Sequence, residues 1–156
     1  ACEIAAWCKA NGRTMYEYLI EIYQEVGLYY EGLINLVRKG RDGAEEIQNM
    51  MKNFRENPPK SLAGSPVSQI KDFKEQTNFV VAENASKTMI DIPKSNVLIY
   101  YTEDGTKVCV RPSGTEPKIK FYVSVKDALA SKDEFEHKIK SLEEKIQQIK
   151  ADLHLN

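Results

Sequence analysis

The sequence predicts an α+β fold in which a small antiparallel sheet is covered by helices, and three segments predict it. In residues 97–111, Val97, Ile99 and Tyr101 alternate with Leu98 and Tyr100. Asp104-Gly105 then favours a tight turn, and Val108 and Val110 alternate with Lys107, Cys109 and Arg111, so the segment reads as a β-hairpin. Residues 118–125 alternate again, with Ile119, Phe121, Val123 and Val125 on one face and Lys118, Lys120, Tyr122 and Ser124 on the other. The third segment carries Phe135, Ile139, Leu142, Ile146, Ile149 and Leu153 at alternating four- and three-residue spacing, a long helix with one apolar seam. A coiled-coil dimer would also use such a seam. The sheet just upstream needs a cover for its apolar face, so packing within the chain is favoured.

The remaining elements follow in order. Residues 1–10 read as a helix with Ile4, Trp7 and Cys8 on one side, ended by Gly12. A chain that starts in a helix without methionine is expected to begin inside a longer protein. Thr14 with Glu17 forms a capping box for a second helix bearing Tyr16, Leu19, Ile20, Tyr23 and Val26, closed by Gly27. Residues 29–38 read as a strand. Asp42 and Glu45 repeat the capping pattern for a helix with Ile47, Met50, Met51 and Phe54 as its buried stripe, and Pro58-Pro59 prevents its continuation. Residues 60–66 are loop-like, 67–73 a strand, and 78–82 a strand that continues or pairs with it. Ser131 with Glu134 gives a third capping box before the last helix.

Composition excludes several function classes. The 156 residues hold 22 basic and 23 acidic side chains, so no general field attracts nucleic acid or anionic lipid, and any bound anion must be held locally. No segment approaches the roughly 20 apolar residues of a membrane span, the first residues lack the basic, apolar, small-residue order of a secretory signal, and a cytoplasmic location is expected. Cys2, Cys8 and Cys109, with only His137 and His154 to join them, indicate neither a disulfide framework nor a zinc site. Asp91, Glu103 and Asp104 are too isolated to form a metal cluster and suit turns and solvation.

Between the hairpin and the following strand lies Arg111-Pro112-Ser113-Gly114-Thr115-Glu116-Pro117, whose composition suits a phosphate dianion. Arg111 can offer two parallel N–H donors, and Ser113 and Thr115 add hydroxyl donors. Gly114 lacks the Cβ that would obstruct a ligand, and its freedom to take positive φ would let neighbouring N–H groups converge; Pro112 and Pro117 limit the flexing of the empty loop. Lys120, just past the loop on the Lys118 face, ranks above Lys118 as an added cation, and Lys107 lies further off. On composition alone, a proline-bounded connection with ordinary surface charges remains an equal reading.

The run from Arg111 to Tyr122, R-P-S-G-T-E-P-K-I-K-F-Y, resembles the C-terminal phosphate-binding loop of the phosphohexomutases, the phosphoglucomutase and phosphomannomutase superfamily. Asn57-Pro58-Pro59, the segment Ser95-Asn96-Val97-Leu98, Asp104-Gly105 and the final helix extend the likeness, which is weakest over residues 74–94. The resemblance implies a TATA-binding-protein-like C-terminal domain, a fold name that implies no contact with DNA. It divides the chain into residues 1–40, the remnant of a sugar-binding third domain, and 41–156, the phosphate-binding domain.

It also implies that Arg111, Pro112, Ser113, Gly114 and Thr115 hold the non-transferred phosphate of a phosphosugar. Lys120 would assist from a position that is often Arg in relatives. The parent would be a cytoplasmic isomerase working through a phosphoserine, magnesium and a hexose 1,6-bisphosphate, and this part would pack against missing upstream domains. The family's nucleophilic serine, D-x-D-x-D metal cluster and G-E-x-S-G-H sugar loop are not found in the sequence, so the chain alone is expected to be inactive. Two other readings stand beside it: a stand-alone phosphate- or phosphosugar-binding module, and an interaction protein dimerising through its C-terminal helix.

Overall fold

The hairpin and the half-buried strand sit at the centre of the fold. A computed structural model describes residues 1–40, 42–81 and 85–155. Its elements are α1 (Cys2–Ala10), α2 (Met15–Val26), β1 (Leu28–Val37), α3 (Gly43–Glu56), β2 (Ser61–Leu62), β3 (Ser65–Asp72), β4 (Thr77–Val80), β5 (Ser86–Met89), β6 (Leu98–Thr102), β7 (Lys107–Pro112), β8 (Lys118–Asp127) and α4 (Phe135–Asp152). The fold is α+β. The eight-stranded sheet runs in the order β1-β8-β7-β6-β3-β4-β5 with β2 beside β3, and all its pairings are antiparallel.

Strand alternation decides the two faces. Leu98, Tyr100, Val108, Val110, Ile119, Phe121, Val123 and Val125 are buried on the inner face, where α3 and α4 cover them. Helix α3 contributes Ile47, Met51 and Phe54, whose ring meets Phe121 edge-on at 5.6 Å between centroids. The α4 seam is consumed within the chain, with Leu142, Ile146, Ile149 and Leu153 buried against the sheet, so it is not available to a coiled-coil partner. A close approach explains Gly32 in β1: a Cβ there would stand 2.8 Å from Ile146 Cδ1.

Charged side chains tie the layers together. Arg55, near the end of α3, donates from Nε to Asp72 of β3 at 2.9 Å and from its terminal nitrogen to Asn96 at 2.6 Å. Asp72 also accepts the N–H of Lys74 at 2.9 Å, and the Tyr100 hydroxyl donates to the Phe54 carbonyl at 2.8 Å. Burial pushes the Tyr100 hydroxyl well above its ordinary range, so it stays a donor.

Several local expectations are corrected. The Thr14–Glu17 capping box forms, with the Glu17 N–H donating to Thr14 Oγ1 at 3.1 Å. The other two do not. Asp42 has helical backbone angles and makes no side-chain cap, and the Gly43 N–H reaches back to Gly40 instead. A 3-10 turn, Lys132–Glu134, separates Ser131 from α4, which leaves the serine without the N3 partner that a cap requires. Within the stretch read as loop, β2 pairs with β3 through a bend at Ala63-Gly64, both at positive φ. Strand β4 pairs with β3 over residues 77–80, whereas Ala82 of that expected strand lies outside the described residues. Strand β5, four exposed residues with no alternation, had no signal in the sequence.

The β6–β7 turn supplies a pH-dependent contact. Asp104 accepts from Lys145 Nζ at 2.6 Å, from Thr102 Oγ1 at 2.6 Å and from the Thr106 N–H at 3.0 Å. Burial alone would raise its pKa, but these donors outweigh it and hold the carboxyl well below its ordinary 3.8. A folded-state value below the unfolded one contributes stability above the ordinary value and loses it as pH falls through 3.8 and beyond. Urea midpoints measured from neutral to strongly acidic pH should therefore fall less steeply in Asp104→Asn, which is weaker at neutral pH because it loses the charged contact to Lys145.

Candidate functional site

The loop between β7 and β8 closes with the Ser113 N–H donating to the Lys118 carbonyl at 2.8 Å. Inside it, the Lys118 N–H donates to the Glu116 carbonyl at 2.7 Å. From outside, the Arg38 N–H, just past β1, donates to the Pro117 carbonyl at 2.9 Å, so the loop is fastened to two neighbouring strands. Among the described residues neither the Gly114 nor the Glu116 N–H meets an acceptor.

The strand register brings the cations together. Arg111 stands directly opposite Lys120 in the β7–β8 ladder, Pro112 opposite Ile119, and Lys118 follows at the start of β8. A cavity of about 410 Å³ is lined by the loop residues 111–116 with Lys118, Lys120 and Tyr122. It thus gathers all six residues singled out from the sequence: Arg111, Pro112, Ser113, Gly114, Thr115 and Lys120. Larger hollows exist, such as one of about 480 Å³ between β1 and α4, so charge rather than size distinguishes this cavity.

Among the described residues Arg111 and Lys120 form no ion pair, and the Arg111 residue is exposed. Lys118 is different, because it is bound to the Glu116 carboxylate. The hydrogen bond and charge of Lys118, assisted by Lys120, hold Glu116 below the ordinary carboxylate range. Arg111 and Lys120, on adjacent strands, make no ion pair among the described residues, although the charge of Lys120 acts on Glu116. Like charges directly opposite in a ladder disfavour the pairing, and an anion bound between them would offset this.

Gly114 departs from expectation. It does not take positive φ, so the N–H groups are not gathered by a left-handed glycine. A Cβ at Gly114 would meet nothing within 4 Å, and the fold itself does not require glycine there. Gly114→Ala should leave the urea midpoint unchanged or raise it by up to about 1 kcal/mol of stability. Where an anion uses that space, the same change should weaken inorganic phosphate binding roughly threefold to tenfold, read by chemical-shift titration.

Lys118, ranked below Lys120 from the sequence, and Glu116 and Tyr122, not among the six residues singled out there, also line the cavity. The signal was present in the alternation that puts Lys118, Lys120 and Tyr122 on one face. The Glu116–Lys118 pair spans only two residues and has no distinct sequence pattern.

Residues 33–142 match the family described as "Phosphoglucomutase/phosphomannomutase, C-terminal domain". The chain belongs to that family. This phosphohexomutase domain is 38% identical over 122 residues to a phosphoglucomutase of Staphylococcus aureus (strain MRSA252), a match covering 78% of this chain and 22% of the relative. The phosphoglucomutase of strain MSSA476 is 37% identical over the same length and shares. A solved phosphoglucomutase structure, the open form of the exocytosis-sensitive phosphoprotein pp63/parafusin from Paramecium, aligns with a TM-score of 0.39 and 12% identity over 87% of this chain and 24% of that one. The domain spans about a fifth of the length of the curated relatives it matches.

Proposed function

We propose that this domain is the C-terminal part of a cytoplasmic phosphohexomutase interconverting hexose 1-phosphate and hexose 6-phosphate, and that its β7–β8 loop holds the substrate phosphate that is not being transferred. The observation that carries the reading is that Arg111 and Lys120 face each other with no ion pair of their own among the described residues, beside two loop N–H groups that meet no acceptor there. A phosphate dianion removes the repulsion, accepts two parallel bonds from Arg111 and accepts further bonds from Ser113, Thr115 and the free backbone donors. The proline-bounded loop is fastened before any ligand arrives, so little ordering is required on binding.

Holding the distant phosphate positions the reacting end of the sugar through binding energy remote from the chemistry. Closure of this domain over the cleft would keep water from a phosphoenzyme. Among the described residues no three His, Cys, Asp or Glu side chains are placed to hold a metal, so the magnesium implied for the parent does not fit this domain. The reaction's phosphoserine and hexose 1,6-bisphosphate chemistry belong with it on the upstream domains. The 156-residue chain alone is expected to be inactive, since the family's nucleophile, metal cluster and sugar loop are not found in its sequence.

Helices α1 and α2 are read as the end of the preceding sugar-binding domain. The notional boundary at residue 40 leaves β1 with that remnant, and its ladder with β8 supports reading Leu28–Val37 together with the phosphate-binding sheet instead. Exposed Ile4, Trp7, Met15 and Leu19 support packing of α1 and α2 against upstream domains. No described helix is long and apolar enough to cross a membrane.

The test is a coupled mutase assay on the complete parent with glucose 1-phosphate and mannose 1-phosphate, with and without magnesium, beside the 156-residue chain. Turnover by the parent and none by the chain is expected. A parent without mutase activity, or a chain with it, refutes the reading.

A further inference from the structure

The two edges of the sheet are built differently. Strand β5 is four residues long and carries Lys87, the short and charged form by which sheets avoid edge-to-edge pairing. Strand β1, at the opposite edge, is ten residues long and carries one charge, Glu31. Its outer face presents Tyr29, Leu33 and Val37 at 47%, 51% and 60% exposure. Nothing described pairs with its outer edge, where a hollow lined by residues 30–34 and α4 runs alongside. A long, weakly charged, apolar edge is a template for another strand.

The sequence of β1 fits itself. Residues directly opposite in an antiparallel ladder share a face, so two copies must pair about a residue, not between residues. A two-fold axis at Leu33 sets Leu33 against Leu33 of the second copy, Tyr29 against Val37, and Glu31 against Asn35, which can donate to its carboxylate. On the inner face it sets Tyr30 against Leu36 and Gly32 against Ile34. Shifting the axis to residue 31 opposes the two Glu31 carboxylates, and shifting it to 32 or 34 sets Glu31 against Leu33 or Val37. Only the Leu33 register matches apolar with apolar and polar with polar over nine positions.

The geometry points to β1 as a homodimer interface, two copies joining edge to edge into one continuous sheet about Leu33. The β7–β8 loop lies beyond the Val37 end of β1, through the Arg38–Pro117 contact. Antiparallel joining therefore places the two loops at opposite ends of the shared sheet and leaves both cavities open.

Site-directed cross-linking in the 156-residue chain tests this, in a Cys2→Ser, Cys109→Ser background. Under mild oxidation Leu33→Cys should form a disulfide with its own copy, while Glu31→Cys should cross-link only when mixed with Asn35→Cys. Sedimentation velocity of the unmodified chain should show twice the chain mass as concentration rises, and Leu33→Lys should abolish that species with its circular dichroism unchanged. A species of single mass at all concentrations overturns the proposal, as does a dimer that survives Leu33→Lys or cross-links equally well through Glu31→Cys alone. A single-mass chain whose β1 becomes protected from hydrogen exchange only in the longer parent would show that upstream domains occupy the edge, and also overturns it.

Discussion

Arg111→Ala should lower the catalytic efficiency of the complete parent mutase roughly tenfold to a hundred-and-fiftyfold, the equivalent of about 1.5–3 kcal/mol for a charged, two-pronged contact. Steady-state kinetics on hexose 1-phosphate measure it. Arg111→Lys should recover only part, because an ammonium supplies charge without the paired donors. The stability readout runs the other way. Arg111 faces Lys120 across the ladder and has no acidic partner among the described residues, so its removal relieves repulsion. The urea midpoint of the 156-residue chain should hold or rise slightly. A side chain serving the fold would show the reverse, lost stability with unchanged efficiency.

Arg55→Ala should have the largest effect on stability, about 3–5 kcal/mol in urea denaturation. The Arg55 and Asp72 side chains retain only 15% and 12% exposure, so removing the guanidinium leaves a carboxylate largely out of water, and Asn96 loses its donor. These contacts bind α3 to β3 and to the segment leading into β6. Replacing Arg55 and Asp72 together by apolar residues of similar volume should restore much of the loss, since the penalty is chiefly that of the abandoned charge. The β7–β8 loop is untouched by the change, so phosphate binding below the unfolding transition should be retained.

The legible parts of the fold were those fixed by hydrophobic period. The β6–β7 hairpin, β8 and α4 each repeat one pattern over many residues, and the structure places Leu98, Tyr100, Val108 and Val110, and Ile119, Phe121, Val123 and Val125 of β8, inside. Capping was less legible because a Ser or Asp three residues before Glu is necessary for a box but not sufficient. Asp42 adopts helical angles and Ser131 precedes a 3-10 turn, and neither fact follows from the residue types. Strand β5 has no apolar face and exists through pairing with β4. The Arg55–Asp72–Asn96 contacts join residues distant in sequence, which no local pattern can announce.

At the candidate site, the cations and hydroxyls could be named from composition because the proposed phosphate would need those donors. Their convergence depended on the register that sets Arg111 against Lys120. At Gly114 the backbone does not enter the left-handed region expected of it, and a Cβ there would meet open space.

Backbone amide chemical shifts of the 156-residue chain, followed by NMR through a titration with hexose 1,6-bisphosphate, test the central claim most directly. Saturable shifts confined to residues 111–120, largest at Gly114 and Glu116 and lost in Arg111→Ala, are the expected result. Shifts centred on another cavity, or a loop response identical in Arg111→Ala, would contradict the account.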